Sequence, residues 1–160
     1  MALRKSSQVL ARAAVPSPMD AVDTVPLVFE HTIVAGEFAA GDIVEMGALP
    51  AGCVFAGPAV LVAEDCDSGS TPSLALDVGI MSGDYLSNDD SRTCGAELFA
   101  ASDVGQAGGV AVSTSATGLL LGPSIVDRSI GIKINAAAAT LVAGKKIRLL
   151  AQAAPAPMGM

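Results

Sequence analysis

The sequence has very few aromatic residues: no tryptophan, one tyrosine and four phenylalanines among 160 residues. Sites for nucleotides and sugars usually stack the ligand on aromatic faces, which this composition cannot supply in number. Histidine is also scarce, since His31 is the only one and lies between Phe29 and Ile33 in an alternating apolar stretch. A general base needs a nucleophile and an orienting group beside it, so we interpret His31 as a packed or edge residue of a strand.

Charged residues make up 16% of the chain, below the roughly 25% of ordinary soluble domains. So little charge suggests that partner proteins cover part of the surface. The three cysteines, Cys53, Cys66 and Cys94, are odd in number, form no CxxC motif and have no histidine nearby. This spacing argues against a disulfide framework and against a zinc site, and it favours small buried side chains.

Motifs of the common enzyme classes are absent. No GxSxG nucleophile elbow occurs. The stretch that ends in Gly144-Lys145-Lys146 has Ala139 where a phosphate-binding loop begins with glycine, and residues 105–109 do not form a dinucleotide fingerprint. No stretch approaches the roughly 18–20 apolar residues of a membrane span. We therefore predict no catalytic, cofactor-binding or metal-ligating residues, no cofactor, no membrane partner and no enzymatic activity.

Two acidic loops contain enough oxygen atoms to be weighed as cation sites. Residues 65–70 begin with alternating carboxylates, Asp65 and Asp67, as a calcium loop does, but they lack a third ligand before the glycine and the distal glutamate. Residues 84–90, with the sequence DYLSNDD, could hold a hard cation weakly. We interpret both as solvated acidic turns, because acidic loops without complete ligand spacing are common.

The net charge of −7 is distributed unevenly along the chain. Residues 1–12 carry three bases and no acid, residues 13–127 carry all sixteen acids and one base, and residues 128–160 carry five bases and no acid. An acidic body repels nucleic acid over most of its surface, so no nucleic-acid partner is predicted. The basic ends pair either with acidic strands of the same sheet or with acidic patches on another copy or another protein.

Apolar residues alternate with a period of two from Val25 onwards, which is typical of strands. The clearest strand covers residues 124–135, where Ile130, Ile132 and Ile134 share one face. Turn signals recur about every 8–12 residues, and neither a strand–helix alternation nor a repeat interrupts them. The pattern predicts an all-β fold, either a β-sandwich or a compact β-barrel of about eight to ten short strands.

The predicted organisation has three parts. Residues 1–24, interrupted by Pro16 and Pro18, form an extended N-terminal arm, residues 25–152 form the β domain, and residues 153–160 form a flexible C-terminal tail. A short helix over residues 3–14 is an open alternative within the arm. Inside the domain we predict a glycine turn at 105–109 and a short strand at 119–121. Residues 96–101 are either a strand or a helical turn, and residues 136–144 are either a strand with a turn or a short helix.

Several phrases of the sequence resemble one class of viral protein. They are the proline-containing arm, the stretches VFEHTIVAGEFAAGDIVEMGALPAG and PSLALDVGIMSGDYLSNDDSRTCGAELFAASDVGQAGGVAV, and the basic, strand-rich ending. Together they cover most of residues 25–152 and resemble the capsid decoration, or cement, proteins of tailed bacteriophages. The resemblance implies a structural protein of the virion that is made in the bacterial cytoplasm and binds the outside of the phage head. It also implies a homotrimer that contacts the major capsid protein, with its arm along the shell.

Two other functions remain open at this point. One is another oligomeric virion component, such as a tail-tube, connector or fibre-base protein. The other is a small hydrolase or metal-dependent enzyme that uses the acidic loops. An enzyme should present a pocket with convergent carboxylates or His31, whereas an assembly protein should present a broad apolar interface.

Overall fold

A computed structural model describes residues 2–6 and 24–156 of the chain. This part contains ten strands and two one-turn helices. The strands are β1 Leu3–Lys5, β2 Val25–Thr32, β3 Ile43–Leu49, β4 Cys53–Phe55, β5 Val60–Ala63, β6 Ala75–Ile80, β7 Phe99–Ser102, β8 Gly109–Val112, β9 Arg128–Ala136 and β10 Lys146–Pro155. The helices are α1 Val104–Ala107 and α2 Ala116–Leu119. None of the helices in these residues is long and apolar enough to cross a membrane.

The strands form two sheets, which confirms the predicted all-β class. The first sheet has the order β1-β3-β9-β6-β7 and is antiparallel except for β1, which pairs parallel to β3. The second sheet has the order β2-β10-β5-β8 and is antiparallel, and β4 pairs with the end of β10. In β2 and β10 every second side chain is buried, as the period of two predicts.

The apolar faces of both sheets contribute to one core. Ile130, Ile132 and Ile134 of β9 are at most 1% exposed, as predicted for the clearest strand. They belong to the same buried cluster as Phe29 of β2. The ring of Phe29 lies where a Cβ atom on Gly47 of β3 would stand. A side chain at position 47 would therefore push the two sheets apart.

Two short segments differ from the sequence prediction. Residues 105–109 were predicted to form a turn, whereas residues 105–107 lie in helix α1 and Gly109 begins β8. Residues 119–121 were predicted to form a strand, whereas Leu119 ends helix α2 and the next two residues are not in a strand. In α2 the amide of Leu120 donates to the carbonyl of Ala116 at 2.9 Å, and Gly118 packs against the backbone of Glu97. A single helical turn is too short to leave a periodic pattern, so tertiary packing decides its conformation.

The two ends of the chain also differ from the sequence prediction. Residues 3–5 form a strand, so the alternative of a helix is wrong for them, and residues 7–23 of the predicted arm lie outside the described residues. The β domain was expected to end at residue 152, but β10 continues to Pro155, because residues 153–155 pair with β4. Residues 157–160 of the predicted tail also lie outside the described part.

Candidate interaction surfaces

His31 is buried in β2 and contacts a partner that its sequence neighbours did not reveal. Its Nε2 atom lies 3.0 Å from Oε2 of Glu37, and its ring stacks on Phe38 with the ring centroids 6.1 Å apart. The same carboxylate oxygen accepts a hydrogen bond of 2.8 Å from the amide of Val34. Glu37 thus ties the turn after β2 to the strand itself. The interpretation of His31 as a packed strand residue is confirmed, since only 4% of it is exposed.

The calcium-like loop at residues 65–70 is held by its own backbone. The carboxylate of Asp67 is 1% exposed and accepts hydrogen bonds of 2.7–3.2 Å from five amides. The donors are Gly69, Ser73, Leu74, Ala139 and Thr140. Burial raises the pKa of Asp67, but hydrogen bonds from the last four of these amides outweigh burial and hold the pKa well below its ordinary value. This carboxylate joins the loop to residues 139–140 and has little room for a cation.

The second acidic loop is fastened to the first sheet by two cations. Lys5 Nζ donates to the carbonyl of Leu86 at 3.1 Å and to Oδ1 of Asn88 at 3.0 Å. Arg92 Nη1 donates to the carbonyl of Ser87 in the loop at 3.4 Å, and its Nε atom donates to the carbonyl of Ser82 at 2.6 Å. The interpretation of residues 84–90 as a merely solvated turn is therefore incomplete, because the loop is docked. Over residues 2–6 and 24–156, no group of three or more acidic, histidine or cysteine side chains is placed to hold a metal ion.

Behind this loop lies a buried ion pair that the sequence analysis missed. Arg92 Nη1 lies 2.9 Å from Oε1 of Glu45, and the two side chains are at most 1% exposed. Ser129 Oγ donates to the same oxygen at 2.5 Å and accepts a hydrogen bond of 2.6 Å from Arg92. Lys5 Nζ lies 3.8 Å from the other Glu45 oxygen. One signal was present in the sequence: Arg92 is the only base among sixteen acids between residues 13 and 127.

The N-terminal residues form an edge strand of the first sheet. Leu3, Arg4 and Lys5 pair with residues 43–45 of β3. Ser6 extends this contact, because its amide donates to the carbonyl of Glu45 at 2.7 Å and its hydroxyl donates to the carbonyl of Met46 at 2.6 Å. The start of the predicted arm is thus part of the domain, and it brings Lys5 to the buried carboxylate.

An open groove of about 360 Å³ lies between β1 and the acidic loop. Glu37 and Asp90 line it, together with the cations of Arg4 and Lys5. His31 is not among the lining residues, and its Nε2 atom is already bound to Glu37. The groove therefore combines carboxylates with two cations, and the Glu37 carboxylate is already bound to His31, which differs from the pocket expected of a hydrolase.

The three cysteines are free thiols, with Cys53 and Cys66 buried and Cys94 half-buried. Burial raises the pKa of each thiol, to about 11 at Cys66 and about 12 at Cys94. Thiols with raised pKa values are protonated at neutral pH and react slowly. The interpretation as small buried side chains is confirmed for Cys53 and Cys66.

The outer face of the second sheet is apolar along a row that crosses four strands. The strand register gives this row as Val28, Leu150, Val60 and Val112, and the next row as Glu30, Arg148, Val62 and Val110. Glu30 binds Arg148 and Lys146, which lowers the pKa of its carboxyl. The charges thus lie at the β2 and β10 side, whereas the β5 and β8 side presents only valines.

Residues 104–126, here called the uncharged segment, contain no charged side chain and begin just before β8. Eight large apolar side chains are exposed in the part of the chain that the structure describes, and six of them belong to this segment. They are Val110, Val112, Leu119, Leu120, Ile125 and Val126, with Leu120 82% and Ile125 97% exposed. Apolar residues concentrated in this way on an acidic protein indicate a protein–protein contact surface.

Comparison with solved structures finds phage capsid chains that match over most of this chain. No protein-family model and no curated protein sequence matches the chain. A chain in the solved capsid of Ralstonia phage GP4 is 42% identical with a TM-score of 0.90, and the match covers 98% of this chain and 99% of that chain. A chain in the capsid asymmetric unit of cyanophage Pam1 is 24% identical with a TM-score of 0.62, over 91% of this chain and 96% of that one. At that identity the second match shows a shared fold only.

Proposed function

The chain belongs to a family of phage capsid proteins, and we propose that it serves in the virion as a decoration, or cement, protein on the outside of the head. The observation that carries the proposal is the full-length match to a chain of the GP4 capsid, since each chain covers almost all of the other. The likeness therefore extends over nearly all of this chain and is not limited to one part of it. In this role the protein stabilises the shell by binding the major capsid protein.

The charge of the chain supports a position outside the shell. Packaged DNA carries about one negative charge per 1.7 Å of duplex, and it repels a protein with a net charge of −7. All sixteen acids lie between residues 13 and 127, which include most of the β domain. An acidic protein of this kind is disfavoured in the DNA-filled interior and tolerated on the outer surface.

The ionisable groups support a structural role without catalysis. Asp67 is occupied by five backbone amides, Glu45 by Arg92, and His31 by Glu37. Catalysis needs such groups to converge on a place where a substrate can bind. Here they join loops to strands, and the exposed large apolar side chains are concentrated in the uncharged segment. Apolar surface without reactive groups suits assembly.

The proposed unit is a homotrimer, as in the decoration proteins that the sequence resembles. A closed ring buries apolar surface between copies without leaving an open end that would grow into a fibre. The uncharged segment also supplies a surface for the shell, because Ile125, near the end of this segment, is 97% exposed. Burial of a side chain of this size contributes about 1.5–3 kcal/mol.

The test uses phage heads assembled without this protein. We expect the purified chain, when added to these heads, to give extra density on the outer surface in electron cryomicroscopy, in groups of three, and to raise the temperature at which heads open. Density on the tail or inside the head, or no binding at all, would reject the decoration role.

A pair of matched variants then tests the contact surface. Ile125→Lys should weaken head binding about tenfold or more, which corresponds to about 1.4 kcal/mol. Val34→Lys is the control, because Val34 is 58% exposed and lies outside the uncharged segment. Equal affinities for the two variants would exclude Ile125 from the shell contact while leaving the decoration role itself standing.

A further inference from the structure

The open side of β8 presents backbone groups that are ready for another strand. β8 is the last strand of the second sheet, and within the described residues it pairs only with β5. The amide of Ser113 donates to the carbonyl of Ala59 at 2.8 Å, on the β5 side. Backbone groups alternate in direction along a strand, so the amides and carbonyls of Val110 and Val112 point away from β5. Two donors and two acceptors therefore line the open side.

This edge lacks the features by which proteins usually prevent strand pairing. Natural edge strands are commonly protected by charged side chains, by proline or by a covering loop. β8 has the sequence GVAV, and no charge lies within the whole uncharged segment around it. Val110 is 65% and Val112 55% exposed, and an open groove of about 360 Å³ runs beside the strand, between it and α1.

We propose that β8 pairs antiparallel with β8 of a second copy about a two-fold axis, so that the two second sheets become one continuous sheet. The register follows from the outward groups. With the axis at Ala111, each Val110 lies opposite Val112 of the second copy. The two amides and two carbonyls of each strand then all find partners, in four hydrogen bonds. A shift by two residues would leave half of these groups unpaired.

The absence of charge and the symmetric placement of the outward groups of Val110 and Val112 about Ala111 favour a second copy as the occupant. Two copies with a net charge of −7 repel each other wherever their acidic surfaces meet. In the uncharged segment they can approach without burying a charge. Across the axis the rows continue as Val60 and Val112 of one copy followed by Val110 and Val62 of the other, since these residues are neighbours in the register of each sheet. The ion pairs of Glu30 remain at the far ends, in water.

Disulfide cross-linking tests the register directly. In this arrangement Cα atoms at positions 110 and 112 of opposite copies lie about 5.5 Å apart, within disulfide range, whereas identical positions lie on a diagonal of about 7–8 Å. Oxidation of a mixture of Val110→Cys and Val112→Cys should therefore give covalent dimers that contain one chain of each variant. Neither variant should form covalent dimers by itself. The unsubstituted protein should form none either, and it is the control for cross-linking through Cys94. No dimer in the mixture, or equal yields in all samples, would refute the register.

Assembly mass tests whether this contact exists in solution. Val110→Lys places two cations at the axis and should halve the mass of the assembly measured by analytical ultracentrifugation, from a dimer to a monomer or, where the copies are also joined as trimers, from a closed hexamer of two trimers to one trimer. Val34→Lys, an exposed valine outside the segment, should leave the mass unchanged. An unchanged mass for Val110→Lys would overturn the proposal. If Val110→Lys kept its mass but no longer bound heads, a strand of another virion protein would be the partner of β8. This result would leave the decoration role intact.

Discussion

Replacing Asp67 with asparagine should cost the protein a large part of its stability. The Oδ2 atom of Asp67 accepts hydrogen bonds from Ser73 at 2.7 Å, Ala139 at 3.0 Å and Leu74 at 3.1 Å. The Oδ1 atom accepts from Thr140 at 2.9 Å and Gly69 at 3.2 Å. Asn has the same size but only one acceptor oxygen. Its amino group must therefore face at least two backbone amides, donor against donor.

The magnitude follows from the two hydrogen bonds that are lost. A hydrogen bond to a charged group contributes about 1.5–3 kcal/mol, and a buried amide left unpaired costs about 1–3 kcal/mol. For two such amides we expect Asp67→Asn to lower the free energy of unfolding by about 3–5 kcal/mol. With an m-value of about 2 kcal/mol/M, the urea midpoint should fall by roughly 1.5–2.5 M. Asp65→Asn is the matched control, because this neighbouring carboxylate is exposed. It should change stability by less than about 0.5 kcal/mol.

The pH dependence gives an independent check. Because the pKa of Asp67 is lowered in the folded state, its charged form contributes stability above the unfolded pKa of about 3.9, and this contribution is lost as the pH falls below it. The difference in the free energy of unfolding between the original protein and Asp67→Asn should be constant from pH 5 to 8, at about 3–5 kcal/mol. This difference should become smaller below about pH 4. A variant as stable as the Asp65→Asn control, or a difference that stays unchanged below pH 4, would refute this account.

Two further predictions concern the core. Arg92→Ala leaves the carboxylate of Glu45 buried without its main partner, so it should lower the free energy of unfolding by about 3–5 kcal/mol, and adding Glu45→Gln should recover part of that loss. An equal loss in the double variant would contradict the pairing. Gly47→Ala places a methyl group on the ring of Phe29 and should cost about 1–3 kcal/mol in a urea titration. Gly122→Ala, where a Cβ atom meets nothing within 4 Å, should be neutral, and equal effects of the two glycine variants would contradict the packing argument.

The sequence predicted the strands that bury one face. In β9 the alternation placed Ile130, Ile132 and Ile134 together, and all three lie in the core. A period of two is visible without knowledge of the partner strand, because burial acts on each side chain through the face of the sheet on which it lies. This is why the class and the approximate bounds of most strands could be predicted from one chain.

Contacts between distant residues could not be predicted in the same way. β1 has three residues and pairs with residues 43–45, so neither its length nor its local sequence shows a strand. Glu45 occupies a strand position where a carboxylate normally faces water, yet it is fully buried because the loop with Arg92 covers it. The position of Asp67 resembles that of a ligand in a calcium loop, but the sequence does not show that backbone amides bind its carboxylate.

The acidic surface and the uncharged segment act together in the proposed contacts between copies and with the shell. Repulsion between acidic bodies acts over the Debye length, about 8–10 Å near physiological salt, whereas the valines of β8 act only on contact. Added salt weakens the repulsion and leaves the apolar contact and its backbone hydrogen bonds largely unchanged. Pairing through β8 should therefore become stronger as salt rises. A contact made by the basic C-terminal residues, such as Lys146 and Arg148, would become weaker instead. The sign of the salt effect therefore distinguishes assembly through the uncharged segment from assembly through charge.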